Sequence, residues 1–344
     1  MRQIKSVEIF RLICCICVIA GHSVPFAGSA PDSKFYYYLS VGISQLIRFV
    51  VPFFCIISGY FWGVRVRDGK DPISSANQMA KKIGFIYLAW CIIYLLPYNI
   101  TAVYRHGIFG PVKIAYQNAL VILNDPPLQT IMQGTKPQLW FLVALLFSVY
   151  ITAIFVKNRL PVALIVLSIC LYVFGVLAKA YELTPIGLEA HFNTRDGPFF
   201  GTVGFATGYF MSKLKPSSKW LYYGLPIYFF GLSLHLFEVY FLLKYYGLGP
   251  IHDYVFGTYF MGLGIAVLSL SNHPRLQNDF LSQFGPLTLG IYVSHFIFVD
   301  LLRFIDNRTD HPVWELGYIV IVLILSIALT KFLSKLRWAK KIVV

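Results

Sequence analysis

The first apolar run of the chain carries side chains that are unusual inside a membrane. Arg11 and His22 lie eleven residues apart in it, and Glu8 precedes Arg11 by three residues. On an α-helix this spacing puts Arg11 and His22 on one face, about 16 Å apart along the axis. An intramembrane charge normally faces a bundle interior or a water-filled cavity. This face is therefore predicted to line a deep site that offers a permanent cation and an imidazole able to exchange protons near neutral pH.

The composition indicates a membrane protein. Of the 344 residues, 57% are hydrophobic and only 13% are charged, with a mean hydropathy of +0.66, whereas soluble domains carry about a quarter charged residues. The formal net charge of +14 would suggest nucleic acid as the partner of a soluble protein. Here the basic residues lie in loops between apolar runs, as orientation signals do. The expected partner is the lipid bilayer, with no nucleic acid, and no cleavable signal peptide is predicted.

The apolar runs predict an all-α polytopic protein with about ten transmembrane helices. Their approximate bounds are 7–26, 37–63, 83–104, 139–156, 160–180, 197–212, 219–243, 254–271, 285–304 and 314–334. With both termini placed in the cytoplasm, the inner segments carry about twice as many Lys and Arg residues as the outer ones. No linker divides the chain, so a single domain over residues 1–344 is predicted. The outer loop 105–138 is expected to be structured and to cover the mouth of a site.

The polar side chains within the runs fall into two groups by predicted depth. Near the cytoplasmic face lie Arg11, Ser58, Gly59, Tyr60, Arg65, Arg67 and Lys70, and in the outer half lie His22, Trp140, Arg195, Asp196, His295 and Asp300. Arg48 lies about mid-span, where a lone arginine needs an acidic or carbonyl partner. Glu238 and Asp300 are both candidate partners. Gly59 and Gly290 are predicted to allow close approach of helices rather than to line a pocket. The basic loop 64–82 is either an orientation signal beside anionic lipid headgroups or the binding site of a polyanionic cytosolic ligand.

All six cysteines lie within apolar runs. They are Cys14, Cys15, Cys17, Cys55, Cys91 and Cys170, and none has metal-ligand spacing with a histidine. Small apolar packing residues are the favoured interpretation, and no metal is expected. The alternative is a covalent acyl carrier at Cys14, Cys15 or Cys17.

Five short motifs, taken in order, resemble those of the membrane acyltransferase-3 family. They are Arg11 and His22 with ten residues between them, residues 51–61 (VPFFCIISGYF) just after Arg48, residues 138–142 (QLWFL), residues 194–201 (TRDGPFFG) and residues 289–295 (LGIYVSH). Two departures are noted: Asp196 replaces an Asn of the family motif, and Arg65 and Arg67 are separated by one residue where some members have two. A further departure is that no extra extracytoplasmic domain is expected, which indicates the short, stand-alone members of the family, and these resemble O-acetyltransferases of surface polysaccharides.

The resemblance implies an acyl donor, usually acetyl-CoA, and a sugar hydroxyl of a surface glycan such as O-antigen lipopolysaccharide as acceptor. It implies an enzyme in the inner membrane of a bacterium. Donor phosphates are expected at Arg65, Arg67 and Lys70, near Ser58 and Tyr60, with Arg11 contributing. A pantetheine arm of about 15 Å would then reach His22, the expected general base. Candidates for acceptor or oxyanion contacts are Arg48, Trp140, Arg195 and His295, with Ser58 also considered for the oxyanion.

Several alternatives stay open at this point. Arg11 could be a helix-end cation that snorkels to the headgroups, with His22 a hydrogen-bonded core histidine, and Trp140 could be an interfacial belt residue. The protein could instead transport a lipid-linked sugar or small anion, with Arg48 and His22 lining the pathway, although no inverted repeat is evident. A third reading keeps the enzyme but makes it an O-succinyltransferase.

Overall fold

The computed structural model describes residues 4–26, 33–124, 126–306 and 311–343, and all regular structure in these ranges is helical. The α-helices are α1 (Lys5–Ser23), α2 (Lys34–Leu46), α3 (Val50–Arg67), α4 (Pro72–Leu95), α5 (Val103–His106), α6 (Gly110–Asn124), α7 (Pro127–Gln133), α8 (Trp140–Lys157), α9 (Pro161–Leu177), α10 (Pro198–Met211), α11 (Trp220–Tyr246), α12 (Phe256–Leu270), α13 (Asp279–Ser282), α14 (Thr288–Asp306) and α15 (Pro312–Lys335). Short 3-10 turns include Ile47–Phe49, Ile100–Ala102 and Pro137–Leu139.

Seven helical stretches of the described chain are long and apolar enough to cross a membrane. They are Lys5–Ser23, Lys34–Arg67, Pro72–His106, Pro137–Lys157, Trp220–Tyr246, Asp279–Ile305 and Pro312–Lys335. An all-α protein with several membrane-spanning helices is thus confirmed. The remaining three predicted spans coincide with α9, α10 and α12, which have 17, 14 and 15 residues. A 14-residue helix is only about 21 Å long, against a hydrocarbon core of about 30 Å, so the count of ten, like the orientation, stays a prediction.

The chain forms two compact units that alternate along the sequence. Unit 1 comprises Met1–Phe10, Arg48–Gly84 and Trp140–Ser282, and unit 2 comprises Arg11–Ile47, Phe85–Leu139 and Gln283–Val344. Each unit contains segments from the start, the middle and the later part of the chain. The single domain expected over residues 1–344 stays a prediction.

In unit 1, helix α10 packs against α3, α8 and α9. Its crossing with α3 depends on residues without a side chain. A Cβ added at Gly208 would overlap the main chain of Ile56, and one added at Gly59 would overlap the main chain of Phe205. Apolar helices in lipid have no hydrophobic driving force for association, so close packing of their main chains stabilises the contact instead. The interpretation of Gly59 as a residue for close helix approach is confirmed.

Helices α11 and α12 of the same unit also approach each other closely at glycine residues. Added Cβ atoms at Gly231 and Gly257 would overlap the main chains of Met261 and His235, respectively. Glu238 of α11 lies at the N-terminus of α12, where its carboxylate accepts hydrogen bonds from the main-chain N–H groups of Phe256 (3.1 Å) and Gly257 (2.7 Å). Glu238 therefore satisfies the free donors that begin α12.

In unit 2, helix α14 collects hydrogen bonds from neighbouring segments. The hydroxyl of Tyr94 on α4 donates to the Val293 carbonyl (2.6 Å), and that of Tyr318 on α15 donates to the Val299 carbonyl (2.9 Å). A Cβ added at Gly290 would overlap the side chain of Thr330 on α15, so the close-approach interpretation of this glycine is confirmed as well. These contacts fix the rotation of α14, which carries His295 and Asp300.

The loop 105–138 is structured, as predicted. It contains α6 and α7, and Asp125 between them lies outside the described residues. Gly134 ends α7 with a φ of +78° and packs against Tyr87 and Cys91 of α4. The hydroxyls of Tyr87 and Thr135 then join the loop to α4 by donating to the carbonyls of Ile131 and Cys91, respectively. This anchoring determines where Lys136 lies in unit 2.

We expect Gly208→Ala to lower the free energy of unfolding by about 1–3 kcal/mol, because a methyl group cannot enter the α3–α10 contact without separating the helices. The matched control is Gly84→Ala on α4, where an added Cβ meets no atom within 4 Å. That change should be neutral or slightly stabilising. Thermal unfolding of both variants in detergent measures the difference. Equal melting temperatures for the two variants would contradict the packing account.

Candidate active site

Two imidazoles lie together in unit 2. The rings of His22 on α1 and His295 on α14 are stacked, with centroids 5.4 Å apart and an interplanar angle of 30°. His295 is fully buried, whereas His22 is partly exposed. The first and fifth of the sequence motifs therefore meet at one place.

The hydrogen bonding of His295 settles which ring nitrogen carries its proton. Its Nδ1 lies 2.7 Å from the main-chain oxygen of Tyr292. Since a carbonyl can only accept, Nδ1 is the donor and Nε2 is the unprotonated nitrogen of the neutral ring. Nε2 is buried and has no hydrogen-bond partner among the described residues. The stack thus contains a neutral imidazole with a free lone pair.

A buried ion pair lies beside the two imidazoles. The Lys136 ammonium is 2.6 Å from Asp300 Oδ2, and the two side chains are only 13% and 10% exposed. The Tyr98 hydroxyl donates a short hydrogen bond to the same carboxylate oxygen. Phe296 connects the pair to the imidazoles: its ring centroid is 4.7 Å from that of His22 and 5.7 Å from Lys136 Nζ.

A second polar cluster lies in unit 1. Arg195 contacts Asp196 (Nε to Oδ1, 3.0 Å) and Asp253 (Nη1 to Oδ1, 3.6 Å), and Lys179 Nζ lies 3.4 Å from the other oxygen of Asp253. Asp253 also acts electrostatically on Arg48, which Arg195 repels. The cluster therefore combines the cations Arg48, Arg195 and Lys179 with the carboxylates of Asp196 and Asp253.

The carboxylates that the sequence proposed for Arg48 have other partners. Glu238 accepts from Tyr181 (2.9 Å) and from the start of α12, while Asp300 binds Lys136 and Tyr98. Asp253, in the loop between α11 and α12, is close enough to Arg48 to act on it electrostatically.

Trp140 makes a contact that neither sequence interpretation included. The Arg195 guanidinium lies 5.1 Å from the centroid of its ring, and Trp140 is 8% exposed. This is a cation–π contact. The structure therefore brings together three predicted residues, Arg48, Trp140 and Arg195, within unit 1.

His252 borders this cluster. Its Nε2 is buried without a hydrogen-bond partner among the described residues. Burial and, second, the positive charge of Arg48 lower the pKa of this imidazole, because both disfavour its cationic form. His252 is therefore neutral at physiological pH.

The expected donor-binding residues lie near the C-terminal end of α3, but not on one face. Positions seven apart are nearly superimposed on a helix, so Ser58 and Arg65 share a face, as do Tyr60 and Arg67. The two faces are about 160° apart. Arg65, Arg67 and Lys70 are all exposed, and Arg67 also donates to the carbonyl of Ser212 at the end of α10 (2.7 Å). Arg67 thus has a structural role that the sequence did not indicate.

Three of the cysteines are buried, as the interpretation of these residues as packing residues predicts. Cys14, Cys15 and Cys55 are buried, and the thiol of Cys15 lies 3.5 Å from the Thr288 carbonyl. Cys17 is partly exposed. Within the described ranges no group of three His, Cys, Asp or Glu side chains is arranged to hold a metal ion.

Sequence reasoning missed several residues of both clusters, namely Lys136 and Tyr98 in unit 2 and Lys179, His252 and Asp253 in unit 1. Lys136 lies two residues before Gln138, and by its sequence context it is only one of the charged residues of the outer loop. The available signal was its position between Gly134 and the QLWFL motif. Asp253 follows His252 directly in a short loop, and that adjacency was the signal for the second cluster.

Comparison with known proteins relates the whole chain to an enzyme family. The family model described as "Acyltransferase domain" matches residues 4–331. A protein of Enterococcus faecalis named "Amino-acid racemase" is 25% identical over 356 residues, a match that covers 97% of this chain and 46% of that protein. The chain therefore spans about half the length of this curated relative. No solved structure matches the chain.

We expect Asp300→Ala to lower the free energy of unfolding by about 3 kcal/mol, because the Lys136 ammonium loses its partner in a nearly buried position. Removing both charges, in Lys136→Met with Asp300→Leu, should restore most of that stability. The control is Asp279→Ala, which breaks the exposed pair with Lys5 (2.5 Å) and should cost less than about 1 kcal/mol. Chemical denaturation of the purified variants gives these values; similar losses for Asp300→Ala and Asp279→Ala would contradict the assignment.

Proposed function

The chain belongs to the acyltransferase-3 family, and on that premise we propose that it transfers an acetyl group from cytosolic acetyl-CoA to a sugar hydroxyl of a cell-surface polysaccharide. The observation that carries the proposal is the stack of His22 and His295 beside the Lys136–Asp300 pair. A partly exposed imidazole held beside a fully buried one is suited to take a proton from a hydroxyl. We place the protein in the inner membrane of a bacterium.

His22 is assigned as the general base because it is the accessible member of the pair. It removes the proton of the sugar hydroxyl as the oxygen attacks the thioester carbonyl, so that a C–O bond forms and the C–S bond breaks. The proton then passes to the departing thiolate of coenzyme A. His295 positions His22: its ring is fully buried, and its Nδ1–H is held by the Tyr292 carbonyl.

The geometry of α3 supports separate ends for donor and glycan. Seventeen residues separate Arg48 from Arg65, which corresponds to about 26 Å along the helix, close to the thickness of a hydrocarbon core. The exposed end with Arg65 and Lys70 is the proposed place for the phosphates of acetyl-CoA, on the cytosolic side. The opposite end carries the cluster of Arg48, Arg195 and Trp140, the proposed contacts for acceptor or oxyanion.

The reaction class is favoured over transport by the same imidazoles. A partly exposed imidazole held against a second, fully buried imidazole supports proton transfer at His22, which acyl transfer to a hydroxyl requires. The acyl group is proposed as acetyl, with succinyl as the alternative that a glycan mass would reveal.

We expect His22→Ala to reduce acetyl transfer at least about 100-fold, because the hydroxyl loses its proton acceptor. The measurement is mass spectrometry of surface glycan from cells with and without the protein, together with transfer of radiolabel from acetyl-CoA by the purified protein. His191→Ala, at an exposed position of unit 1, is the control and should retain activity.

Near-normal glycan acetylation by His22→Ala at full protein level would overturn this role. If label never leaves acetyl-CoA while glycan crosses proteoliposomes, the transporter alternative is correct.

We further expect Arg65→Gln and Arg67→Gln to differ in kind. Arg65→Gln removes a phosphate contact and should raise the KM for acetyl-CoA about tenfold with an unchanged melting temperature. Arg67→Gln leaves the Ser212 carbonyl without its donor and should lower the melting temperature. Steady-state kinetics and thermal unfolding of both variants separate these effects. A stable Arg67→Gln protein with a higher KM than Arg65→Gln would reverse the assignment.

A further inference from the structure

A polar cavity of about 200 Å³ lies between α6 and α7 in unit 2. Its wall is formed by the second half of α6, by α7 and by the segment that follows α7. The polar residues that line it are Asn118, Thr130, Gln133, Thr135 and Lys136. The structured loop 105–138 therefore encloses a space with hydrogen-bonding groups on its wall.

The charge of the wall is already paired. Among the described residues that line the cavity, Lys136 alone is charged. Its ammonium lies 2.6 Å from Asp300 Oδ2, and both side chains are nearly buried. An anion in the cavity would have to compete with that carboxylate for the same ammonium, whereas an uncharged ligand would not. The pairing of Lys136 therefore favours an uncharged ligand.

Two threonine hydroxyls of the wall can act only as acceptors toward a ligand. Thr130 Oγ1 donates to the Ile122 carbonyl (3.1 Å), and Thr135 Oγ1 donates to the Cys91 carbonyl (3.1 Å). A hydroxyl has a single hydrogen to donate, so each oxygen offers a ligand only lone pairs. A ligand must therefore bring O–H or N–H donors of its own. Carboxylate and phosphate oxygens, which only accept, do not match these two positions.

Two amides of the wall supply the complementary donors. Gln133 Oε1 accepts from Gln129 Nε2 (3.4 Å), and this bond assigns the Nε2–H₂ group of Gln133 as a donor. Asn118 adds an amide with both a donor and an acceptor end. A wall that combines acceptor-only hydroxyls with amide donors suits a ring with several hydroxyl groups, because each hydroxyl both donates and accepts.

Lys136 connects this cavity to the proposed base. Its ammonium lies 5.7 Å from the centroid of the Phe296 ring, and that centroid is 4.7 Å from the centroid of His22. Asn118 and Lys136 also line a second cavity of about 210 Å³, which Asp300 borders. The polar space therefore continues from α6 toward α14, the helix that carries His295.

We propose that the cavity between α6 and α7 binds a neutral sugar residue through its hydroxyl groups. The statement that this sugar is a unit of the acceptor glycan rests on the function proposed above. Val121 and Pro137 also line the cavity, and they give an apolar surface for the C–H face of the ring. A few placed polar groups on a partly apolar wall are typical of small-molecule sites. A glycan held there by one unit would present a neighbouring unit to His22.

The test is binding of soluble sugars to the full chain in nanodiscs, measured by saturation-transfer NMR. The probes are glucose and galactose, their carboxylate counterparts glucuronate and galacturonate, and tetrahydropyran, which has the ring without hydroxyl groups. We expect at least one neutral sugar to bind and tetrahydropyran to bind at least about tenfold more weakly. Neither uronate should bind more tightly than the neutral sugar from which it derives, because its carboxylate only accepts.

Two variants remove amides of the wall, and one variant is the control. Asn118→Leu keeps the size of the side chain but not its hydrogen bonds, and it should weaken sugar binding about five- to tenfold. Gln133→Leu should have a similar effect. Gln117→Leu changes the preceding, exposed residue of α6 outside both cavities and should leave binding within twofold. The melting temperature of each variant shows whether its fold is retained.

Four results would overturn the proposal: no binding of either neutral sugar, equal binding of tetrahydropyran, tighter binding of a uronate than of its neutral parent, or equal losses in Asn118→Leu and Gln117→Leu. A fifth is a tenfold loss of coenzyme A binding in Asn118→Leu, which would assign the cavity to the donor. Failure of the proposed function is detected separately, since sugar binding that depends on Asn118 would persist in a protein that transfers no acetyl group.

Discussion

An ion inside an apolar helical protein needs either a partner of opposite charge or several hydrogen-bond donors or acceptors, and this requirement determines where the polar clusters lie. Asp300 has both Lys136 and Tyr98. Glu238 has a tyrosine hydroxyl and two main-chain N–H groups. Each arrangement joins a membrane-length helix to a loop or a helix end. The cost of an unpaired charge in a low-dielectric environment thus also holds the loops in place, and two of these loops carry residues of the candidate sites.

The proposed base depends on the same logic applied to a neutral group. His295 is kept in one tautomer by the Tyr292 carbonyl, only three residues earlier on the same helix. A ring fixed in this way has no freedom to rotate toward other partners, so it offers His22 a constant surface. The Phe296 ring also packs against His22, edge to face. Of the two stacked imidazoles His22 is the partly exposed one, which is why it is the proposed base.

Close helix approach explains why few side chains suffice to build such sites. In unit 1, Gly59 and Gly208 let α3 and α10 meet main chain to main chain, and in unit 2, Gly290 leaves room on α14 for the side chain of Thr330 on α15. Helices held at such short separations fix the direction of every side chain they carry. Glycines, which have no reactive side chain, therefore contribute to the precise placement of charged and titratable groups.

The sequence alone determined the helical class, the membrane character and the family, because hydropathy and short ordered motifs are local properties of the chain. It also placed Arg11 with His22 on one helix and identified Gly59 and Gly290 as packing positions. Only the tertiary structure decided the partners: Arg195 lies over the Trp140 ring, Glu238 binds the start of α12, and Arg67 binds the end of α10. Pairing joins residues far apart in the chain, and it depends on helix rotation and loop paths that no local pattern records.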